Sequence, residues 1–122
     1  FVELNTTTDI PQPTSTRSRR AFSESGGLSG APLKKRSLEI IRLVYKRAGN
    51  NYPIVGVGGI DGPQSAWDAI TSGATLLQLY SALVFNGPAV VKKTIRGLKR
   101  RLQQEGIVNL HDAIGIFSDN NR

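Results

Sequence analysis

Apolar residues occur along this chain in two forms, short continuous runs and longer stretches at helical spacing, and the two alternate. Pro53-Ile54-Val55-Gly56-Val57 is a β-branched run that drives into Gly58-Gly59. It is apolar at successive positions rather than at every second one, the pattern of a parallel strand covered on both faces. Residues 75–79 repeat the pattern with a polar tip at Tyr80-Ser81, and Phe1-Val2-Glu3-Leu4 is a shorter run that stops at Asn5-Thr6-Thr7-Thr8. Ile40, Ile41, Val44, Tyr45 and Ala48 fall at helical spacing, with Ser37 as the expected N-cap and Gly49 as the C-terminal stop. Residues 63–70 predict a second helix, with Pro63 at its first position and Gly73 just past its end. Gly87-Pro88 opens a last long helix, on which Val90, Val91, Ile95, Leu98 and Leu102 make one apolar stripe before Gly106. His111-Asp112-Ala113-Ile114-Gly115 predicts a short closing helix.

The order is strand, helix, strand, helix, strand, helix, which implies an α/β fold with a parallel sheet and right-handed crossovers. Three strands would leave both sheet edges bare and half of each helical stripe unmatched. The chain therefore reads as a segment of a larger α/β fold, and its abrupt start on an apolar residue adds the expectation of an upstream portion.

In a parallel sheet the loops after every strand gather at one rim. In a (β/α)8 barrel that rim carries the active site, with a phosphate commonly held by the loops after the last two strands. Gly58-Gly59 and Tyr80-Ser81 suit that role, offering free backbone N–H groups near a helix start and a hydroxyl donor. Gly26-Gly27-Leu28-Ser29-Gly30 is a further glycine-rich turn, readable either as a concavity of N–H groups or as a plain hinge. Asn5 at a strand tip offers a donor and an acceptor together, which suits a planar ring carrying both. Residues 9–25, with two prolines and many hydroxyls, predict a flexible loop.

Composition adds one outlier. Apolar content of 39% and charged content of 20% over 122 residues are ordinary for a folded domain, whereas the net charge is +7. The cations lie at Arg17/Arg19/Arg20, at Lys34/Lys35/Arg36 and across residues 92–101, and read first as solvated faces. No aromatics are interleaved for stacking, so nucleic acid is not the expected partner. A basic half-barrel that binds anionic lipid or nucleic acid without catalysis stays as an alternative resting on charge alone. No stretch approaches the ~20 apolar residues of a membrane span, and no signal peptide is visible. Cysteine is absent, which excludes disulfides and a thiolate nucleophile within these residues.

A dinucleotide site is the competitor for the glycines. Gly56, Gly58, Gly59 and Gly62 do not fall as G-x-G-x-x-G, because Asp61 takes the third glycine position, and no acidic residue closes the next strand about 20 residues on. His111, the one histidine, has no carboxylate–serine constellation around it and reads as a surface or capping residue. No metal-ligand cluster is present.

With these residues laid out, the chain resembles the C-terminal part of class 2 dihydroorotate dehydrogenases. The resemblance rests on Asn5-Thr6-Thr7, Gly26-Gly27-Leu28-Ser29-Gly30-Ala31-Pro32-Leu33, the strand ending in Gly58-Gly59, Gln78-Leu79-Tyr80-Ser81-Ala82-Leu83 and Asp112-Ala113-Ile114-Gly115. It implies the last three β/α units of a (β/α)8 barrel that holds FMN, oxidises dihydroorotate to orotate in pyrimidine synthesis and passes electrons to a quinone. It also implies that Gly30, Gly59, Tyr80 and Ser81 contact FMN, with Ser29, Leu33, Val57 and Gly58 close by, and that Gly59 and Ser81 hold its phosphate. Asn5 and Thr6 would hydrogen-bond the substrate ring. The family's proton-accepting serine and its membrane-facing helices lie upstream, so no residue of this chain is assigned as the catalytic base. A mitochondrial or bacterial inner membrane, reached through that upstream portion, is the implied location. Another FMN-dependent barrel oxidoreductase is the nearest alternative.

Overall fold

The computed structural model describes residues 26–118. The expected first strand at residues 1–4, the site residues Asn5 and Thr6, the expected loop at 9–25 and the polar end at 119–122 lie outside the described residues.

Pro32 decides where the first helix starts. Its fixed φ suits the tight turn Ala31–Leu33, closed by the Leu33 N–H donating to Gly30 O at 3.0 Å, and helix α1 (Lys34–Ala48) continues without a break. The helix thus begins earlier than the expected N-cap at Ser37. That serine lies inside the first turns, 3% exposed, and its hydroxyl donates to the carbonyl of Val57 at 2.9 Å. A hydroxyl expected to cap its own helix ties that helix to a strand end instead. Ser37→Ala leaves the bond unmade, and a loss of about 1 kcal/mol is expected in denaturant unfolding of the full-length protein. An unchanged midpoint would remove the bond from the account. Gly49, with φ of 58°, ends α1 as expected.

Strand β1 (Val55–Val57), helix α2 (Pro63–Thr71) and strand β2 (Leu76–Gln78) follow. The strands pair in parallel, with Val55 opposite Leu76, Gly56 opposite Leu77 and Val57 opposite Gln78. Pro63 opens α2, and Gly73 at φ of 123° turns the chain back toward the sheet. Among the described residues each strand keeps one edge without a strand partner, and Leu76 is exposed.

Beyond β2 the structure departs from expectation. A short helix α3 (Ser81–Asn86) stands where sequence reading saw only the tip of a strand, and helix α4 (Ala89–Glu105) begins after Pro88. Gly106 closes α4 in the left-handed conformation, and a 3₁₀ turn (Leu110–Ala113) ends the fold. The expected single stripe on α4 is split. Val90 is buried and Leu98 and Leu102 pack on the core, whereas Val91 and Ile95 are 42% and 62% exposed. The seam with α2 explains this, since Gly97 meets Pro63 so closely that a Cβ there would collide, which turns the Val90 side of the helix inward.

The core has two connected parts. Ile41, Ile54, Ile60, Ala66, Ala69 and Ala74 fill the space between α1, the sheet and α2. Trp67, Ile70 and Ala113 seal the other side of α2. Leu77 and Leu98 touch both parts, so the sheet and α4 share one packing unit.

Candidate functional site

The loop leaving β1 is shaped by two glycines with positive φ, Gly58 at 95° and Gly59 at 73°. A Cβ on Gly59 would stand 2.7 Å from the backbone nitrogen of Lys34, so the missing side chain is what lets the start of α1 lie against this loop. The Gly59 N–H has no acceptor among the described residues, which leaves a donor at the loop apex. Two residues on, the Lys34 ammonium meets the Asp61 carboxylate at 2.7 Å. Ser65, in the first turn of α2, accepts the N–H of Asp61 at 3.0 Å and donates its hydroxyl to the Asp61 carboxylate at 2.9 Å.

These contacts fix the charge of Asp61. Burial pushes its pKa up, while the hydrogen bonds from Lys34 and Ser65 and the nearby Lys34 charge pull it down further, so the carboxyl sits below its ordinary value. The group is ionised at neutral pH.

Three segments surround one open cavity of about 810 Å³: the turn before α1, the loop after β1, and the β2–α3 junction. Gly30 enters with φ of 83°, and the Ser81 hydroxyl donates to that of Ser29 across the cavity at 3.3 Å. Every described residue expected to contact or lie close to a cofactor lines this space: Ser29, Gly30, Leu33, Val57, Gly58, Gly59, Tyr80 and Ser81. Residues from three parts of the chain therefore meet in one place. Tyr80 is 78% exposed, presenting its ring at the rim rather than in the core. Gly26 and Gly27, by contrast, do not line the cavity, so only the end of the first glycine-rich turn takes part.

Sequence reading missed some of the lining. Asp61, Phe85 and Asn86 also face the cavity. Asp61 had a visible signal, a carboxylate directly after the Gly-Gly-Ile turn. Phe85 and Asn86 had none, because the helix that carries them was not foreseen. His111 lies exposed on the closing turn and does not line the cavity.

The dihydroorotate dehydrogenase family model matches residues 1–102. The chain belongs to the dihydroorotate dehydrogenase family. It is 44% identical over 95 residues to the dihydroorotate dehydrogenase (quinone) of Trichodesmium erythraeum, covering 78% of this chain and 25% of that relative. Against the protein of the same name from Natronomonas pharaonis it is 44% identical over 116 residues, covering 95% of this chain and 32% of the relative. Among solved structures, the ligand-free DHODH of Eimeria tenella superimposes with a TM-score of 0.82 at 34% identity, over 97% of this chain and 31% of that one. The same protein in complex with ferulenol matches with a TM-score of 0.82 over 94% of this chain. The chain thus spans between a quarter and a third of the length of the relatives it matches. Its architecture is that of a partial α/β barrel from this family, and the relatives it matches are of the quinone-dependent class.

Proposed function

We propose that this chain supplies the cofactor-gripping part of a dihydroorotate dehydrogenase that uses FMN to oxidise dihydroorotate to orotate and passes the electrons to a quinone. The observation that carries the reading is the single cavity around which Gly30, Gly59, Tyr80 and Ser81 converge from three segments of the chain. Its lining fits a flavin phosphate, with a Gly59 N–H that has no acceptor among the described residues, the Ser29–Ser81 hydroxyl pair and backbone held at positive φ. FMN bound there would accept the hydride equivalent removed from the substrate.

The part played by this chain's own residues is holding and orienting. Gly59 N–H and Ser81 Oγ would donate to the phosphate, Gly30 and Tyr80 would bound the ring system, and Asn5 and Thr6 would hydrogen-bond the orotate ring. Removal of the substrate proton is left to a base outside these residues. Exposed apolar side chains at Leu76, Val84 and Ile95 support docking of the remaining barrel elements against the open sheet edge and the outer helix faces. No helix among the described residues is long and apolar enough to cross a membrane. Attachment to a mitochondrial or bacterial inner membrane, through residues outside those described, is part of the same proposal.

Purified full-length protein should show flavin absorbance, with FMN released on denaturation. Orotate should raise its unfolding temperature, and Asn5→Ala should remove most of that protection while leaving FMN bound. A colourless protein that takes up no FMN would end the proposal, and equal protection of the Asn5→Ala variant would end the role given to Asn5.

A further inference from the structure

The cavity proposed to hold a phosphate is lined, among the described residues, by one formally charged side chain, and it carries the wrong sign. Asp61 is ionised and faces the space in which an anion would sit. A carboxylate there repels a phosphate unless its charge is met from elsewhere. Lys34 meets it from behind. It does not line the cavity but an adjoining crevice with Ser37, Leu38, Ser65 and Asp68, and its ammonium stands 2.7 Å from the Asp61 carboxylate.

The same lysine is bound into the loop in a second way. Its backbone packs on Gly59 so closely that no Cβ fits between them, and one turn later Ser37 holds the carbonyl of Val57. The first turn of α1 therefore touches the β1 loop at Val57, Gly59 and Asp61, and only the last of these ties carries charge. An ion pair with both side chains about 40% exposed contributes little to folding. Its effect falls instead on the electrostatics of the cavity beside it.

We propose that Lys34 is a charge-balancing and positioning residue for the phosphate end of the cavity, neutralising Asp61 so that the Gly59 and Ser81 donors can hold a phosphate monoester. The inference rests on the FMN reading above. It assigns Lys34 an action through Asp61 and not through direct contact with the ligand, and the two routes predict different results when both residues are changed.

The test is equilibrium binding of FMN and of riboflavin, which lacks the phosphate, to the flavin-stripped full-length protein, followed by flavin fluorescence. Lys34→Gln should weaken FMN about tenfold and leave riboflavin unchanged, because only the phosphate meets the uncovered carboxylate. Asp61→Asn should hold FMN as tightly as the parent or a few-fold more tightly. The double variant Lys34→Gln/Asp61→Asn should recover to within about twofold of Asp61→Asn, since the coupled charges vanish together. Lys34→Arg should keep parental affinity, and the unfolding midpoints of all four ligand-free variants should stay close to the parent's. A double variant as weak as Lys34→Gln would overturn the proposal in favour of direct contact. Equal weakening of FMN and riboflavin by Lys34→Gln would reduce the pair to a scaffold element. If the parent protein binds FMN no more tightly than riboflavin, the phosphate reading itself fails, whatever the variants do.

Discussion

Gly59→Val is expected to abolish flavin retention in the full-length protein and to lower its unfolding midpoint. Two independent penalties meet at this position. With φ at 73°, the backbone occupies a region that costs an L-residue roughly 1–2 kcal/mol, and a β-branched residue more. A Cβ here would also stand 2.7 Å from the nitrogen and 2.8 Å from the Cα of Lys34, which are main-chain atoms that cannot swing aside. Relief requires movement of the β1 loop, which lines the cavity, or of the first turn of α1, which directly follows cavity-lining Leu33. The glycine thus serves the packing of helix on loop first, and the approach to a ligand through that packing. Gly62→Ala is the control. Its φ of 173° is ordinary extended backbone and no atom lies within 4 Å of a built Cβ, so a cost below about 1 kcal/mol and full flavin content are expected. A Gly59→Val protein that remains yellow, with an unchanged midpoint, would break the link between this helix contact and the site.

How far the sequence speaks depends on whether a feature is local. Helix α2 was legible because Pro63 and Gly73 punctuate both ends of an apolar periodic stretch, and the structure places both at those ends. The parallel pairing of β1 and β2 followed from two apolar runs separated by that helix. The cavity residues were legible through glycine and hydroxyl spacing aided by family resemblance. Helix α3 was not, since its six residues complete too few turns to show a period, and Tyr80-Ser81 read equally well as a strand tip. Ser37 misled for a physical reason. A serine before an apolar stretch has the composition of an N-cap, but the turn set by Pro32 had already started the helix, and a strand carbonyl stood within reach of the hydroxyl. The Lys34–Asp61 pair joins residues 27 positions apart in the chain, a tertiary contact that no local pattern encodes. Val91 and Ile95 show the same limit on the outer surface, where a helical stripe reveals which residues are apolar but not which neighbour covers them.

Trp67→Ala is expected to cost about 3–5 kcal/mol in denaturant unfolding, the largest loss from any single truncation between α2 and α4. The indole is 2% exposed and packs with Ile70 and Ala113, flanked by Leu77, Leu98, Leu102, Ile107 and Ile114. The Arg101 guanidinium carbon stands 5.6 Å from the ring centroid, so truncation also removes a cation–π contact. Little can collapse into the space, because Gly97 already presses on Pro63 along the same seam. Trp67→Phe should behave differently. The indole N–H is buried without a partner among the described residues, a state that typically costs about 1–3 kcal/mol, and phenylalanine removes that group while keeping an aromatic face toward Arg101. The smaller ring gives up volume but sheds the orphan donor, so a net loss below about 2 kcal/mol is expected. Equal losses for the two variants would show that neither the volume kept by phenylalanine nor its face toward Arg101 supports this seam. The packing also reaches the cavity, since Leu77, which touches Trp67's cluster and the main core, precedes cavity-lining Gln78 on β2. Trp67→Ala should therefore lose bound flavin at a lower temperature than Trp67→Phe, with the order of release following the order of stability.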